Sequence, residues 1–299
     1  MSTFWSGWII VLTVGNILAC IWLVWWTMKK RKDESATGDV TGHTWDGDLQ
    51  EYNNPLPRWW LWLFYLTVVF SIIYLVLFPG LGNFKGVLGW SQTGQYQEEV
   101  ARIEARQDEF FARFADMDIA DLARDPDAMS AAANIFGNRC AQCHGSDGRG
   151  APGFPNLTDE AWLWGGDANA VLASIQGGRS GVMPPMGDSL GGEQGVAQMV
   201  EYVRSLSGLD HDAAMAAAAA PLWPVCGACH GMDGTGMTAL GSPNLTDGSW
   251  LYGSGRATIA ETITGGRQNN MPAQLPVLGD LQSRVMAAYV LRLSGELGD

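Results

Sequence analysis

Two long uncharged stretches open the chain. From Phe4 to Met28 apolar side chains dominate, and Trp59 to Phe78 repeats the pattern before closing on Pro79-Gly80. About 20 apolar residues cross a hydrocarbon core, so each stretch predicts a transmembrane helix. A cleaved secretory leader would carry its positive charge at the start. Here the basic cluster Lys29-Lys30-Arg31-Lys32 follows the apolar run, which predicts a retained helix. Arg58, Trp59, Trp60 and Trp62 stand where interfacial anchors stand. The segment between the spans holds Lys29 to Lys32 and Arg58, and the excess of basic residues predicts that it is cytoplasmic. The N-terminus and everything after Pro79 are then expected in the periplasm. The ionisable residues inside the spans are Cys20, Tyr65 and Tyr74. A proton path normally needs buried carboxylates, histidines or lysines, so the reading is of an anchor, with any proton pumping left to a partner. Cys20 reads as a small hydrophobe.

Past the second span the period changes. Val100, Ile103, Phe110, Phe111, Phe114, Ile119 and Leu122 form a partly amphipathic pattern among the charges of Gln95 to Asp125. Two readings are open for it, a connecting helix and a docking surface for another subunit. Short helices are expected around Met129 to Asn138 and Asp212 to Ala220. Longer ones are expected over Glu193 to Leu206 and Leu281 to Leu293, where apolar residues recur every three or four positions. Gly- and Pro-rich loops lie between them.

One unit occurs twice. The first copy reads Cys140-Ala-Gln-Cys143-His144, Pro155-Asn-Leu-Thr-Asp159, Trp162-Leu, Gly177-Gly-Arg179, Met183-Pro184. The second reads Cys226-Gly-Ala-Cys229-His230, Pro243-Asn-Leu-Thr-Asp247, Trp250-Leu, Gly265-Gly-Arg267, Met271-Pro272. Each closes on a similar segment, Tyr202 to Gly208 and Tyr289 to Gly295.

C-x-x-C-H is the attachment signal for c-type haem. Both thiols add to the vinyl groups and the histidine becomes the proximal ligand. Disulfides, a thioredoxin-like motif and a zinc site are the competing readings of paired cysteines. The following histidine, the missing βαβ context and the shortage of ligands count against them. Met183 and Met271 occupy matching places and are the expected sixth ligands. Met186 is a rival in the first copy. The sequential pairing joins Met183 to His144 and Met271 to His230, with a crossed pairing left open. Six-coordinate irons favour electron transfer over catalysis. Trp162, Trp164 and Trp250 are expected to wall the crevices, and the Pro155 and Pro243 carbonyls to bond the histidines. Arg179 and Arg267 are candidates for haem propionates, against the alternative of simple solvation. His43 and His211 are expected to be exposed.

Net charge is −13, which excludes nucleic acid as a partner. From Cys140 onward acids outnumber arginines and lysine is absent. This suits a solvated surface or an acidic face toward a basic redox partner.

The order Arg58-Trp59-Trp60-Leu-Trp62, then Gly89-Trp90-Ser-Gln-Thr-Gly-Gln-Tyr96, then Cys143-His144-Gly-Ser-Asp-Gly-Arg-Gly, then Phe154-Pro-Asn-Leu-Thr-Asp159 resembles the dihaem (CcoP or FixP) subunit family of cbb(3)-type haem–copper oxidases from about Asp46 to the C-terminus. The resemblance implies a non-catalytic electron-transfer subunit in a bacterial inner membrane. Such a subunit takes electrons from a donor cytochrome c and passes them to monohaem and catalytic subunits that reduce oxygen. It also implies two covalent haems c: Cys140, Cys143, His144 and Met183 for one, Cys226, Cys229, His230 and Met271 for the other. Many members of the family have one anchor, so the first span is a departure. The expected fold is mainly α, two N-terminal transmembrane helices followed by two tandem class I cytochrome c domains. The expected boundaries are a span over 1–28, a cytoplasmic loop over 29–58, a second span over 59–80, a connector over 81–127 and haem domains over 128–208 and 209–299. The alternative is a free-standing anchored dihaem cytochrome serving other periplasmic reductases. A dihaem peroxidase or a sensor would need an open iron.

Overall fold

Helices α1 (Thr3–Thr27) and α2 (Arg58–Leu77) realise the two apolar stretches, and both are long and apolar enough to cross a membrane. They belong to the first of two compact units in the computed structural model, residues 1–107 and 108–299. The structure describes residues 1–29 and 35–296. Lys30, Arg31 and Lys32, on which much of the orientation argument rests, lie outside the described residues.

In the first unit α1 and α2 run antiparallel. At one end the backbone N–H of Asn83 donates to Ser6 Oγ at 2.8 Å; toward the other the Tyr65 hydroxyl lies 3.7 Å from the Met28 sulfur. Most side chains on both helices face outward, as suits contact with lipid. The segment between them forms a hairpin that hydrophobic periodicity did not reveal, β1 (Val40–Trp45) with β2 (Leu49–Tyr52). Its turn carries Asp46 at φ 49° and Gly47 at φ 91°. An Asp-Gly pair with both φ positive matches the right-handed twist of a hairpin.

Helix α3 (Gln92–Ala112) ends inside the second unit, where Phe111 and Phe114 enter the core. There follow α4 (Ile119–Arg124), α5 (Pro126–Arg139) and α6 (Ala141–His144), then α7 (Ala168–Gly177). Asp125 caps α5 by accepting from the N–H groups of Asp127 and Ala128, with Pro126 at the first helical position. Strand β3 (Arg179–Met183), α8 (Glu193–Leu206), α9 (Ala213–Ala219), α10 (Pro224–His230) and α11 (Arg256–Gly265) come next. The chain ends with strand β4 (Arg267–Met271) and α12 (Leu275–Leu293), broken at Gly279.

The haem domains are expected at 128–208 and 209–299, and the helices do not pack repeat by repeat. Helix α12, from the second repeat, packs on α4, α5 and α7 of the first. Helix α8, from the first repeat, packs on α9 and α11 of the second. One core therefore joins Phe114, Leu122, Phe136 and Ile175 to Val285, Met286 and Leu291; the other joins Met199, Val200 and Val203 to Trp223, Ile259 and Ile263. We call these the first and second lobes. The second is continuous in sequence, and the first is closed by the end of the chain.

The exchange takes place at β3 and β4, which pair antiparallel with Arg179 opposite Met271 and Met183 opposite Arg267. The central pair is Gly181 with Asn269, equivalent positions in the two repeats. A local pseudo-twofold axis thus passes through that pair, and each strand runs into the other lobe. The short link from α8 to α9 favours neighbouring placement, and the two helices pack on each other.

Two expectations follow. Leu291→Ala should lower stability by about 2–5 kcal/mol, as a large-to-small core change does. Hydrogen exchange on the full chain should then rise in α5 and α7 and stay unchanged in α9 and α11; the reverse pattern would contradict the exchange of helices. The second concerns Glu201 of α8, buried and accepting from Arg256 Nε at 2.6 Å, Arg256 Nη2 at 3.2 Å and the Asp212 N–H at 2.8 Å. The hydrogen-bonded Arg256 guanidinium holds this carboxyl below its ordinary value. Its stabilisation is complete above the ordinary carboxylate pKa and is lost as pH falls through the depressed one. Glu201→Gln should flatten the acid side of the unfolding midpoint measured against pH.

Candidate functional site

Each C-x-x-C-H sits at the end of a short helix that a glycine terminates. Gly145 and Gly231 have φ of 77° and 80°, and the chain then turns back so that Gly150 N–H donates to His144 O and Gly236 N–H to His230 O, both at 2.7 Å. The repeated Pro-Asn-Leu-Thr-Asp segment works locally. Asn156 Oδ1 accepts from the Thr158 N–H at 2.9 Å and its hydroxyl at 2.8 Å, and Asn244 does the same for Thr246. These side-chain turns hold the preceding proline carbonyls in place. Pro155 O lies 3.0 Å from His144 Nδ1, and Pro243 O 3.1 Å from His230 Nδ1. A carbonyl only accepts, so Nδ1 carries the proton and Nε2 keeps its lone pair, the state in which imidazole ligates a metal.

Both motifs open into one cavity of about 570 Å³. Its wall includes all the predicted residues: Cys140, Cys143, His144, Met183 and Arg179 with Cys226, Cys229, His230, Met271 and Arg267. Trp162, Trp164 and Trp250 line it as expected. Met186 does not; its N–H bonds Ile263 O and its side chain packs on the second core. His43 and His211 are exposed. Tyr252, the repeat partner of Trp164, also lines the cavity and was not singled out in the sequence, although repeat alignment places it there.

Each methionine packs in the lobe opposite to the one that the sequential pairing assigns it. Met271 packs against the core that holds Cys140 and Trp162, and Met183 against the core that holds Cys226 and Trp250. The cause is the strand crossing, because each methionine ends a strand that has already entered the other lobe.

The arginines stay with the helix just before them. Arg179 Nε donates to Ser174 Oγ at 2.8 Å, and its guanidinium lies 5.0 Å from the Trp164 ring. Arg267 Nε donates to Thr262 Oγ1 at 3.0 Å and Nη1 to Glu261 Oε1 at 2.8 Å, with the Tyr252 ring 4.3 Å away. Burial pushes the Cys140 and Cys226 thiols above their ordinary values, and burial lowers His230 against the opposing effect of Pro243 O.

The chain matches the model for the N-terminal domain of cytochrome oxidase-cbb3, FixP, over residues 37–85. It matches that for cytochrome c oxidase, cbb3-type, subunit III, over 127–203 and again over 213–290. It is 46% identical to the cbb3-type cytochrome c oxidase subunit CcoP of Rubrivivax gelatinosus, over 97% of this chain and 95% of that one. It is 39% identical to CcoP of Cereibacter sphaeroides, over 90% and 99%. It is 41% identical to the subunit FixP of Bradyrhizobium diazoefficiens, over 88% and 97%. The chain belongs to the CcoP/FixP family.

The cytochrome domains of CcoP/FixP chains imply c-type haem, and this site fits it. The wall is mostly apolar, the thiols are unpaired, and each histidine is held in its ligating tautomer. The Trp162 Nε1–H is buried and has no hydrogen-bond partner among the described residues. A buried donor left unpaired is costly, and a propionate at the cavity edge would satisfy it.

Gly150 offers a test of the local geometry. Its φ is 72°, and a Cβ there would stand 2.3 Å from Phe154 O and 2.7 Å from Pro155 O. Gly150→Ala should displace the carbonyl that orients His144 and cost about 1–3 kcal/mol of stability. Thermal unfolding of the full chain in detergent checks this.

Proposed function

We propose that this chain carries two covalent haems c and passes electrons from a donor cytochrome c to the monohaem and catalytic subunits of a cbb3-type oxidase, without catalysing oxygen reduction itself. Its role as a cbb3-type oxidase subunit in electron transfer rests on family membership. The observation that carries the finer reading is the symmetric arrangement on one cavity wall, two C-x-x-C-H helices whose first cysteines each pack on the same core as a methionine from the other repeat.

Bound haem supplies the one-electron carrier; the residues hold and tune it. Cys140 and Cys143 would attach the first group, with His144 and Met271 holding its iron. Cys226 and Cys229 would attach the second, with His230 and Met183. Histidine with methionine would raise the potential and suit electron transfer. Pro155 O and Pro243 O keep Nδ1 protonated, which fixes ring orientation and strengthens Nε2 as a ligand. Arg179, Arg267 and Trp162 meet the propionates. Helices α1 and α2 anchor the chain in the inner membrane as two spans, with the N-terminus and both lobes in the periplasm.

Gentle detergent extraction of the tagged chain tests the assignment. Haem b and oxygen uptake with reduced cytochrome c should travel with the tag; c-type haem alone, with uptake left behind, would favour the free-standing cytochrome instead. The crossed ligands have their own test. Cys140→Ala leaves the first site with a single thioether, which restores one vinyl group and shifts its optical band to the red. On that background Met271→His should lower the potential titrated at the shifted band, and Met183→His the potential at the unshifted band. The opposite assignment would restore the sequential pairing.

A further inference from the structure

The two lobes seat their arginines alike and charge them differently. Arg179 bonds the Ser174 hydroxyl and Arg267 the equivalent Thr262 hydroxyl. Beside Thr262 stands Glu261, which pairs with Arg267 at 2.8 Å; the matching position in the first repeat is Ala173. Among the described residues Arg179 has no carboxylate partner; its other contacts are the Ala170 carbonyl and the Trp164 ring. The charged residues on the cavity wall are Arg139, Arg179 and Arg267, with no acid among them. Arg139 immediately precedes Cys140, while Val225 precedes Cys226, so two of the three guanidinium groups belong to the first lobe. The unpartnered indole N–H of Trp162 is in the same lobe.

Resting on the two-haem reading above, we propose that the Cys140–Cys143–His144 site has the higher reduction potential, and that electrons cross the cavity to it from the Cys226–Cys229–His230 site. Oxidation adds a positive charge to a site, and nearby uncompensated positive charge opposes that addition. Propionates would offset the arginines of both sites alike, so the difference lies in the protein's own charges: no side-chain carboxylate offsets Arg139 and Arg179 among the described residues, whereas Glu261 offsets Arg267. One electron leaves the second-lobe site, which is oxidised, and arrives at the first-lobe site, which is reduced; no bond changes. His230 is the more buried histidine, which favours reduction in the second lobe. That difference narrows when both rings are covered, whereas the difference in charge persists. Glu261 is largely exposed, so solvent limits the size of its effect.

The test transplants the charge. In full-length protein, Cys226→Ala marks the second site by its shifted band and leaves the unshifted band to report the first; Cys140→Ala does the reverse, with Cys229→Ala and Cys143→Ala as alternates if attachment fails. The first site should titrate above the second. Ala173→Glu should lower the first site and Glu261→Gln raise the second, each changing the electron-exchange equilibrium roughly two- to fivefold, as exposed charge pairs do. A second site titrating above the first, or potentials indifferent to both substitutions, would overturn the proposal. Fewer than two c-type haems per unmutated chain, counted by pyridine haemochrome, would overturn the two-haem reading itself.

Discussion

The second unit depends on five residues of antiparallel pairing. Strands β3 and β4 are too short to contribute much by themselves, yet their register goes with which helix closes which lobe and which methionine packs in it. Two close backbone approaches hold the crossing. A Cβ on Gly178 would meet Met271 O at 2.3 Å, and one on Gly266 would meet Met183 O at 2.3 Å. Both have positive φ, 69° and 70°, so glycine is required on two counts. The Gly-Gly-Arg tripeptide in each repeat is therefore a crossing device, with the arginine as the first residue of the ladder.

Exchange of the closing helices gives each lobe a helix from the other repeat. Leu278, Val285 and Leu291 lie at the end of the chain but complete a core that begins at Phe111. Neither core is built from one repeat alone. For electron transfer this has a direct use. Two motifs on one cavity wall joined by a strand ladder are held closer to a fixed separation than a flexible linker between independent domains would hold them.

Within each lobe the histidine is tuned by backbone, not by a charged side chain. The carbonyl of a proline, braced by an asparagine turn, sets the tautomer in both copies with distances that differ by 0.1 Å. Equal proximal geometry leaves the difference between the sites to the wall. There Ala173 and Glu261, Arg139 and Val225, and Trp164 and Tyr252 break the symmetry of the repeat.

Local patterns were legible because they are properties of short segments. The apolar runs became α1 and α2, the periodic segment at 193–206 became α8 with the same ends, and each C-x-x-C-H fell at the end of a helix with its proline carbonyl on the histidine. The set of residues lining the cavity was legible for the same reason, and so was the family. The β1–β2 hairpin was missed because its signal was two residues, Asp46-Gly47, rather than a period. What the sequence alone could not settle was the pairing of like with like. Two repeats present two similar closing helices and two equivalent methionines, and nothing in hydropathy or spacing distinguishes a helix that folds back from one that crosses over. Only the tertiary structure decides that choice, through the register of β3 against β4 and the short link from α8 to α9.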